Sequence, residues 1–270
     1  MRTLVHLSDI HFGHVDHATI EPLIETVRQI QPDMVVVSGD LTQRARSEQF
    51  REARAFLNAL PMPQIIVPGN HDVPLYNVFA RFFSPLHKYR RYITDNLHPF
   101  HLDDEIAVLG LNTARSLTIK DGRVNHEQMA LIRQRLCPLG DSVVSLLVTH
   151  HPFDVPEGSS GDTVGRAQQA MQMLAECGAD VLLSGHLHVT STLTRYVGTE
   201  HSTILVQAGT ATSTRHRGES NSFNVLRIEQ SDILIERWSW EPQQRVFSVF
   251  SKERFRRDQS RWEKEAVLPP

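Results

Sequence analysis

Cysteine is almost missing from this chain, which holds two in 270 residues. Cys137 and Cys177 are isolated and form no CxxC pair, so neither a disulfide framework nor a cysteine zinc site is suggested, and each is expected to fill core or a helix end. A long apolar run is missing too. No stretch approaches the roughly 18 residues of a membrane span, and Met1-Arg2-Thr3-Leu4 enters a strand-like run with no signal-peptide h-region. A cytoplasmic protein without a transmembrane segment is expected, with peripheral membrane contact left open. Nor is there an excess of one charge. A formal net charge of -3 gives no global reason to bind nucleic acid or acidic lipid, so no obligate nucleic-acid partner is expected. Internal repeats and low-complexity linkers are absent as well, which leaves one domain over residues 1–270. The oligomeric state is not fixed by the sequence.

What the chain has in quantity is histidine, fifteen in all, and an alternation of apolar runs with helical patterns. Strands are predicted at 3–8, 33–38 and 64–67, separated by helices at about 18–30 and 46–59. Gln31-Pro32-Asp33 and Leu60-Pro61-Met62-Pro63 end those helices, because proline cannot continue the hydrogen-bond ladder. A helical insertion at about 74–95 follows, carrying aromatics from Tyr76 to Tyr92 among basic residues. The alternation resumes with strands at 106–112, 143–148 and 181–184 and helices at about 126–136 and 165–177, the last closed by Gly178. From Ser191 the pattern is strands only, up to Phe250. A tail at about 251–270 is expected to hold a helix from Lys252 to Lys264, with Phe255 and Trp262 on its apolar side.

Five short segments each follow an apolar run: Asp9-Ile10-His11, Gly39-Asp40, Gly69-Asn70-His71-Asp72, His150, and Gly185-His186-Leu187-His188. Runs of this kind read as buried strands, so these residues fall at strand C-terminal ends, where open sheets place their sites. Asp9, His11, Asp40, Asn70, His150, His186 and His188 make seven oxygen and nitrogen donors, too many for one tetrahedral ion and suited to two sites sharing a carboxylate. Asp40, central in order, is the natural bridge. Mixed carboxylate, amide and imidazole ligands suit two divalent ions, Mn and/or Fe in the first place, with Zn, Co or Mg also compatible.

The order D-x-H, G-D, G-N-H-D, H, G-H-x-H resembles the calcineurin-like metallophosphoesterase superfamily, over about residues 3–229. The resemblance implies an α/β fold, a four-layer αββα sandwich of mixed β-sheets flanked by helices. It implies one metal on Asp9, His11, Asp40 and His188 and a second on Asp40, Asn70, His150 and His186, with His71 near the leaving group and Asp72 holding its ring. A hydroxide shared by the two cations would attack phosphorus in line. His71 would protonate the departing alkoxide.

Bacterial class III cyclic-nucleotide phosphodiesterases are the subclass most resembled, so a small phosphoester substrate is expected. Three alternatives stand beside it: a pyrophosphate hydrolase of a nucleotide-sugar lipid precursor such as UDP-diacylglucosamine, a nuclease, and a non-catalytic protein-binding scaffold. The usual lipid-precursor branch carries arginine where this chain has His71. Nucleases of this fold add a capping or DNA-binding domain, and scaffolds lose ligand histidines, which are intact here. For substrate binding the candidates are Arg44, Arg215 and Arg217. Arg44 follows Asp40 at the interval of the phosphate-binding arginine in Ser/Thr phosphatases, though Gln43 and Ala45 depart from that branch's Asp-Arg-Gly. Arg215 and Arg217 lie in a polar loop that a local Arg–Glu pair could equally tie down.

Overall fold

The computed structural model describes residues 1–118, 120–155, 163–197, 201–215 and 218–265. The predicted βαβ units form. Strands β1 (Arg2–Leu7), β2 (Met34–Ser38) and β3 (Gln64–Val67) run parallel, connected by helices α1 (His17–Ile30) and α2 (Ser47–Ala59). Asp16 caps α1 by accepting from the Ala18 N–H at 3.0 Å, and Gln31 stops it in a left-handed conformation. A second parallel set, β5 (Ile106–Gly110), β6 (Val144–Val148), β7 (Val181–Ser184) and β9 (His201–Gln207), carries α5 (His126–Leu136) and α6 (Ala167–Glu176). Its edges are β4 (Phe100–Leu102), which the sequence pattern did not disclose, and β8 (Ser191–Val197), both antiparallel.

Two mixed sheets result. The second has order β4-β5-β6-β7-β9-β8. The first is completed by β10 (Ser222–Glu229) and β11 (Asp232–Glu241), then by β12 (Val246–Asp258) and β13 (Arg261–Lys264), in the order β13-β12-β11-β10-β1-β2-β3. Alternation within each strand explains the layering. Leu4, Val36, Val108, Leu146, Leu183 and Val206 pack in the core between the sheets. Their neighbours Val5, Val35 and Val37 face α1 and α2, while Leu109, Leu147 and Leu182 pack with residues of α5 and α6. Strands covered on both faces need no polar positions, which is why they read as continuous apolar runs.

Two expectations are corrected, the tail and the cysteines, and the helical insertion divides into two. The tail is not helical: Lys252, Arg254, Arg256 and Asp258 face solvent while Phe255 is buried and Glu253 and Arg257 are half-buried, a period of two that charges on both faces disguised. Phe255 and Trp262 enter the core between the sheets, and Arg257 stacks on Trp262 at 4.7 Å and pairs with Asp180. The insertion is two short helices, α3 (Val78–Phe83) and α4 (His87–Tyr92), broken at Ser84-Pro85. Cys137 and Cys177 form a disulfide, since they end α5 and α6, which pack side by side. No helix among the described residues is long and apolar enough to cross a membrane.

Candidate active site

The strand ends converge. Asp9 and His11 follow β1, Asp40 follows β2, Asn70 to Asp72 form a single 3-10 turn after β3, His150 follows β6, and His186 and His188 follow β7. Asp9, His11, Asp40, His186 and His188 all have positive φ, between 53° and 75°. For non-glycine residues each such conformation costs about 1–2 kcal/mol, so five in one place is a concentration of strain of the kind found at functional sites. Backbone bonds from His11 N to Asp40 O (2.9 Å) and from Asp9 N to Gly39 O (3.1 Å) hold the first two turns together. Thr210 and Thr212 hydroxyls clamp the Asp9 and Ile10 carbonyls at 2.7 and 2.9 Å.

Asp40 lies between two groups of donors. Its Oδ2 is 3.7 Å from His11 Nε2 on one side and 3.4 Å from His150 Nε2 on the other, while Oδ1 accepts the His71 backbone N–H at 2.8 Å. Around the first side, Asp9 Oδ1 is 3.2 Å from His188 Nε2 and 3.6 Å from His11 Nε2. On the second, His150 Nε2 is 3.1 Å from Asn70 Oδ1 and 3.3 Å from His186 Nδ1. Outer partners fix the rings: His150 Nδ1 donates to the Ser38 carbonyl at 2.8 Å and His188 Nδ1 to the Arg215 carbonyl at 3.0 Å, which turns each Nε2 inward. Ser8 Oγ and the His186 N–H saturate Asp9 Oδ2 at 2.7 and 2.9 Å, yet Asp9 Oδ1 is buried without a hydrogen bond. An orphaned buried carboxylate oxygen facing inward-turned imidazole nitrogens is what a cation site requires, so the donor set fits divalent metal.

The electrostatics agree. Burial opposes ionisation of Asp9, but the His188 and His11 imidazoles hold it well below the usual carboxylate range. Asp40 is likewise lowered against burial, by His150 first and then by His71. His150, despite burial, is pushed up to about 9 by Asp40. His151 does not join the donors: its Nδ1 and Nε2 bond Thr113 Oγ1 and the Lys120 carbonyl, both at 2.8 Å. Burial and the neighbouring His150 drive it well below the ordinary histidine value.

Asp72 takes a different place from the one expected. Its oxygens accept from Gly69 N (3.0 Å), Leu41 N (3.2 Å), Thr42 N (2.9 Å) and Thr42 Oγ1 (3.0 Å) and do not hold the His71 ring. It ties the Asp40 and Asn70 turns together, and burial and the Asp40 charge push its carboxyl up to about 7. The His71 ring is held instead by the Gln43 carbonyl, 2.9 Å from Nδ1, with Nε2 3.2 Å from Arg215 Nη1. Since a guanidinium only donates, Nδ1 carries the proton here and Nε2 accepts. Arg44 lines the same cleft, of about 240 Å³, with its guanidinium 5.7 Å over the Tyr76 ring. Arg217 lies outside the described residues. The Arg–Glu tie is not formed by Arg215, since Glu219 accepts from Thr190 N and Oγ1 at 2.8 and 3.0 Å. Gln43, Ser38, Thr113 and Lys120 escaped the sequence reading because they act here through backbone carbonyls or a lone hydroxyl, which no motif marks.

Gly39 has a demanding position, at φ +95° with an added Cβ falling 2.6 Å from His150 Nδ1. Gly39→Ala is expected to lose about 1–3 kcal/mol of stability and to displace His150. A lowered Tm with reduced metal content is the expected result; an unchanged Tm and kcat would show that the turn relaxes freely.

A profile of the family described as calcineurin-like phosphoesterase matches residues 2–190. The chain belongs to this family. The family is one of phosphoester hydrolases and uses dinuclear metal centres. Among relatives of this calcineurin-like phosphoesterase, the glycerophosphodiester phosphodiesterase GpdQ of Enterobacter lignolyticus is 27% identical over 162 residues, 56% of this chain and 57% of that protein. The chain thus spans little more than half of that relative's length. A probable cyclic nucleotide phosphodiesterase of Synechococcus sp. is 25% identical over 200 residues, 69% of this chain and 73% of that protein. In fold, purple acid phosphatase PPD1 of yellow lupin superposes with a TM-score of 0.73 at 15% identity, over 95% of this chain and 54% of its own.

Proposed function

We propose that this chain hydrolyses small phosphodiesters, of the glycerophosphodiester or cyclic-nucleotide type, at two divalent cations, Mn and/or Fe. Asp9, His11, Asp40 and His188 would hold one cation, and Asp40, Asn70, His150 and His186 the other. The observation that carries this is the Asp40 carboxylate, with Oδ2 within 3.4 Å of His150 and 3.7 Å of His11, beside the cleft that holds His71. The named activities of the GpdQ and cyclic-nucleotide relatives support the diester class. When bound, the cations supply charge neutralisation for the phosphoryl group and acidify water. The chain's own groups do the rest. Ser38 and Arg215 carbonyls fix the ligand rings, and Gln43 fixes His71 with Nε2 toward Arg215 in the cleft. For Nε2 to carry a proton to a leaving oxygen, Arg215 must leave it, because two N–H donors cannot face each other. A phosphoryl oxygen accepting from Arg215 would release Nε2 for that task.

Two measurements test the reading. On a plate with Mn-loaded protein, bis-p-nitrophenyl phosphate and at least one of glycerophosphocholine and cyclic AMP are expected to turn over, and p-nitrophenyl phosphate more slowly. UDP-diacylglucosamine and single-stranded DNA are expected to stay intact. Silence on every diester with metal bound overturns the proposal, and selective cleavage of the lipid nucleotide would replace it with a pyrophosphatase. Metal binding itself should release protons near neutral pH. With its value at about 9, His150 is protonated at pH 7 and must lose that proton to ligate. Metal affinity is therefore expected to rise with pH up to about 9. A flat profile from pH 6 to 9 would remove His150 from the ligands.

A further inference from the structure

The cleft beside the ligand cluster has an unusual charge balance. Arg44, Arg81, Lys120 and Arg215 line it together with Gln43 and His71, and among the described residues no carboxylate does. Arg81 is fully engaged, buried and donating to the carbonyls of Ser116 (2.7 Å), Pro74 (3.0 Å) and Thr118. The other three are not. None of Arg44, Lys120 and Arg215 is ion-paired with a described acidic residue, unlike Arg2, Arg133, Arg254 and Lys264.

Two of the three side chains are also held, and Lys120 is anchored at its backbone. Tyr76 lies under the Arg44 guanidinium, Gln43 Oε1 is 3.4 Å from Arg215 Nη1, and the Lys120 carbonyl is pinned by the buried His151 ring at 2.8 Å. Three cations in one cleft of about 240 Å³ repel one another and any metal beside them. That repulsion is relieved by anionic ligand, and a phosphodiester brings a single negative charge, which the ligand cluster already addresses.

We propose that this cleft is a second anion subsite, in which Arg44 and Lys120 receive a further phosphate or carboxylate on the substrate while Arg215 stays with the scissile phosphoryl group. The inference rests on the phosphodiesterase reading and narrows it: the preferred substrates are diesters with a second anionic group on the His71 side of the scissile phosphorus. Lys120 becomes a specificity residue, and His151, which touches no substrate, becomes its positioning residue.

Methyl p-nitrophenyl phosphate and methyl 3-carboxy-4-nitrophenyl phosphate each release a p-nitrophenolate and differ by one carboxylate on the departing group, so their kcat/KM ratio with the Mn-loaded protein, divided by their ratio in alkaline hydrolysis, reads the subsite. The expected ratio is about tenfold or more in favour of the carboxylate, equivalent to about 1.4 kcal/mol. It should fall toward one in Lys120→Ala and in Arg44→Ala, persist in Lys120→Arg, and shrink as salt rises from 0.05 to about 0.5 M. A ratio of one, after that division, removes the subsite and leaves the diesterase standing. A preference that survives both alanine variants overturns the assignment to these residues. No p-nitrophenolate from either compound, with metal bound, takes down the diesterase reading and this inference with it.

Discussion

Asp40→Ala is expected to bring turnover to background and to remove metal from both halves of the site at once. The reason is geometric. Among the described residues Oδ2 is the one carboxylate oxygen within 4 Å of imidazole nitrogens on both sides, at 3.7 Å from His11 and 3.4 Å from His150, while Oδ1 fixes the turn that bears His71 through its N–H at 2.8 Å. Alanine removes the shared negative charge and unties that turn in one change. It also removes the group that raises His150, so the His150 proton becomes easier to lose even as metal affinity falls. Metal content by atomic emission on protein purified without chelators distinguishes the cases. Loss of both metals with loss of rate supports the bridge, whereas loss of a single metal would assign Asp40 to one side. Full metal content with near-normal kcat would show the bridge is misassigned. Asp40→Asn keeps the shape and can still accept from the His71 N–H, so a comparable loss in that variant isolates charge as the cause.

Much of this site is legible in the sequence for a simple reason. Asp9, Asp40, Asn70, His150 and His186 each follow an apolar run within a few residues, and a parallel sheet puts all such strand ends on one edge. Reading the strands therefore places these oxygen and nitrogen donors without any knowledge of the tertiary contacts. The same logic fails at the tail, where Lys252 to Asp258 carry charge on both faces of a half-buried strand and leave no apolar alternation to detect. It fails for the cysteines as well, because pairing of Cys137 with Cys177 depends on how α5 and α6 pack, which spacing does not encode. The misplacement of Asp72 has a further cause. Adjacency to His71 suggested a side-chain contact, but in a 3-10 turn successive side chains diverge, and Asp72 points back to the N–H groups of Gly69, Leu41 and Thr42.

His71→Ala is expected to separate two kinds of substrate. Its ring is held at Nδ1 by the Gln43 carbonyl (2.9 Å) with Nε2 toward Arg215 (3.2 Å), and neither ring nitrogen bonds the ligand cluster, although the ring packs edge-on at 4.9 Å against His11. Removing it should therefore leave metal content intact. An alkoxide is a poor leaving group without a proton, so on glycerophosphocholine or another alkyl diester the expected loss in kcat is about 10²–10⁴-fold, the range of a general acid. A p-nitrophenolate departs unaided, and on bis-p-nitrophenyl phosphate the loss should be roughly tenfold or less. The alkaline limb of the pH–kcat profile separates acid from base. If Nε2 must be protonated, kcat on the alkyl ester falls with rising pH, and the variant loses that fall. Equal losses on both esters would assign His71 to phosphoryl binding through Arg215 instead, and loss of metal would place it among the ligands. His71→Gln retains size and one donor but cannot deliver a proton at neutral pH, so it should match alanine on the alkyl ester if proton delivery is the ring's task.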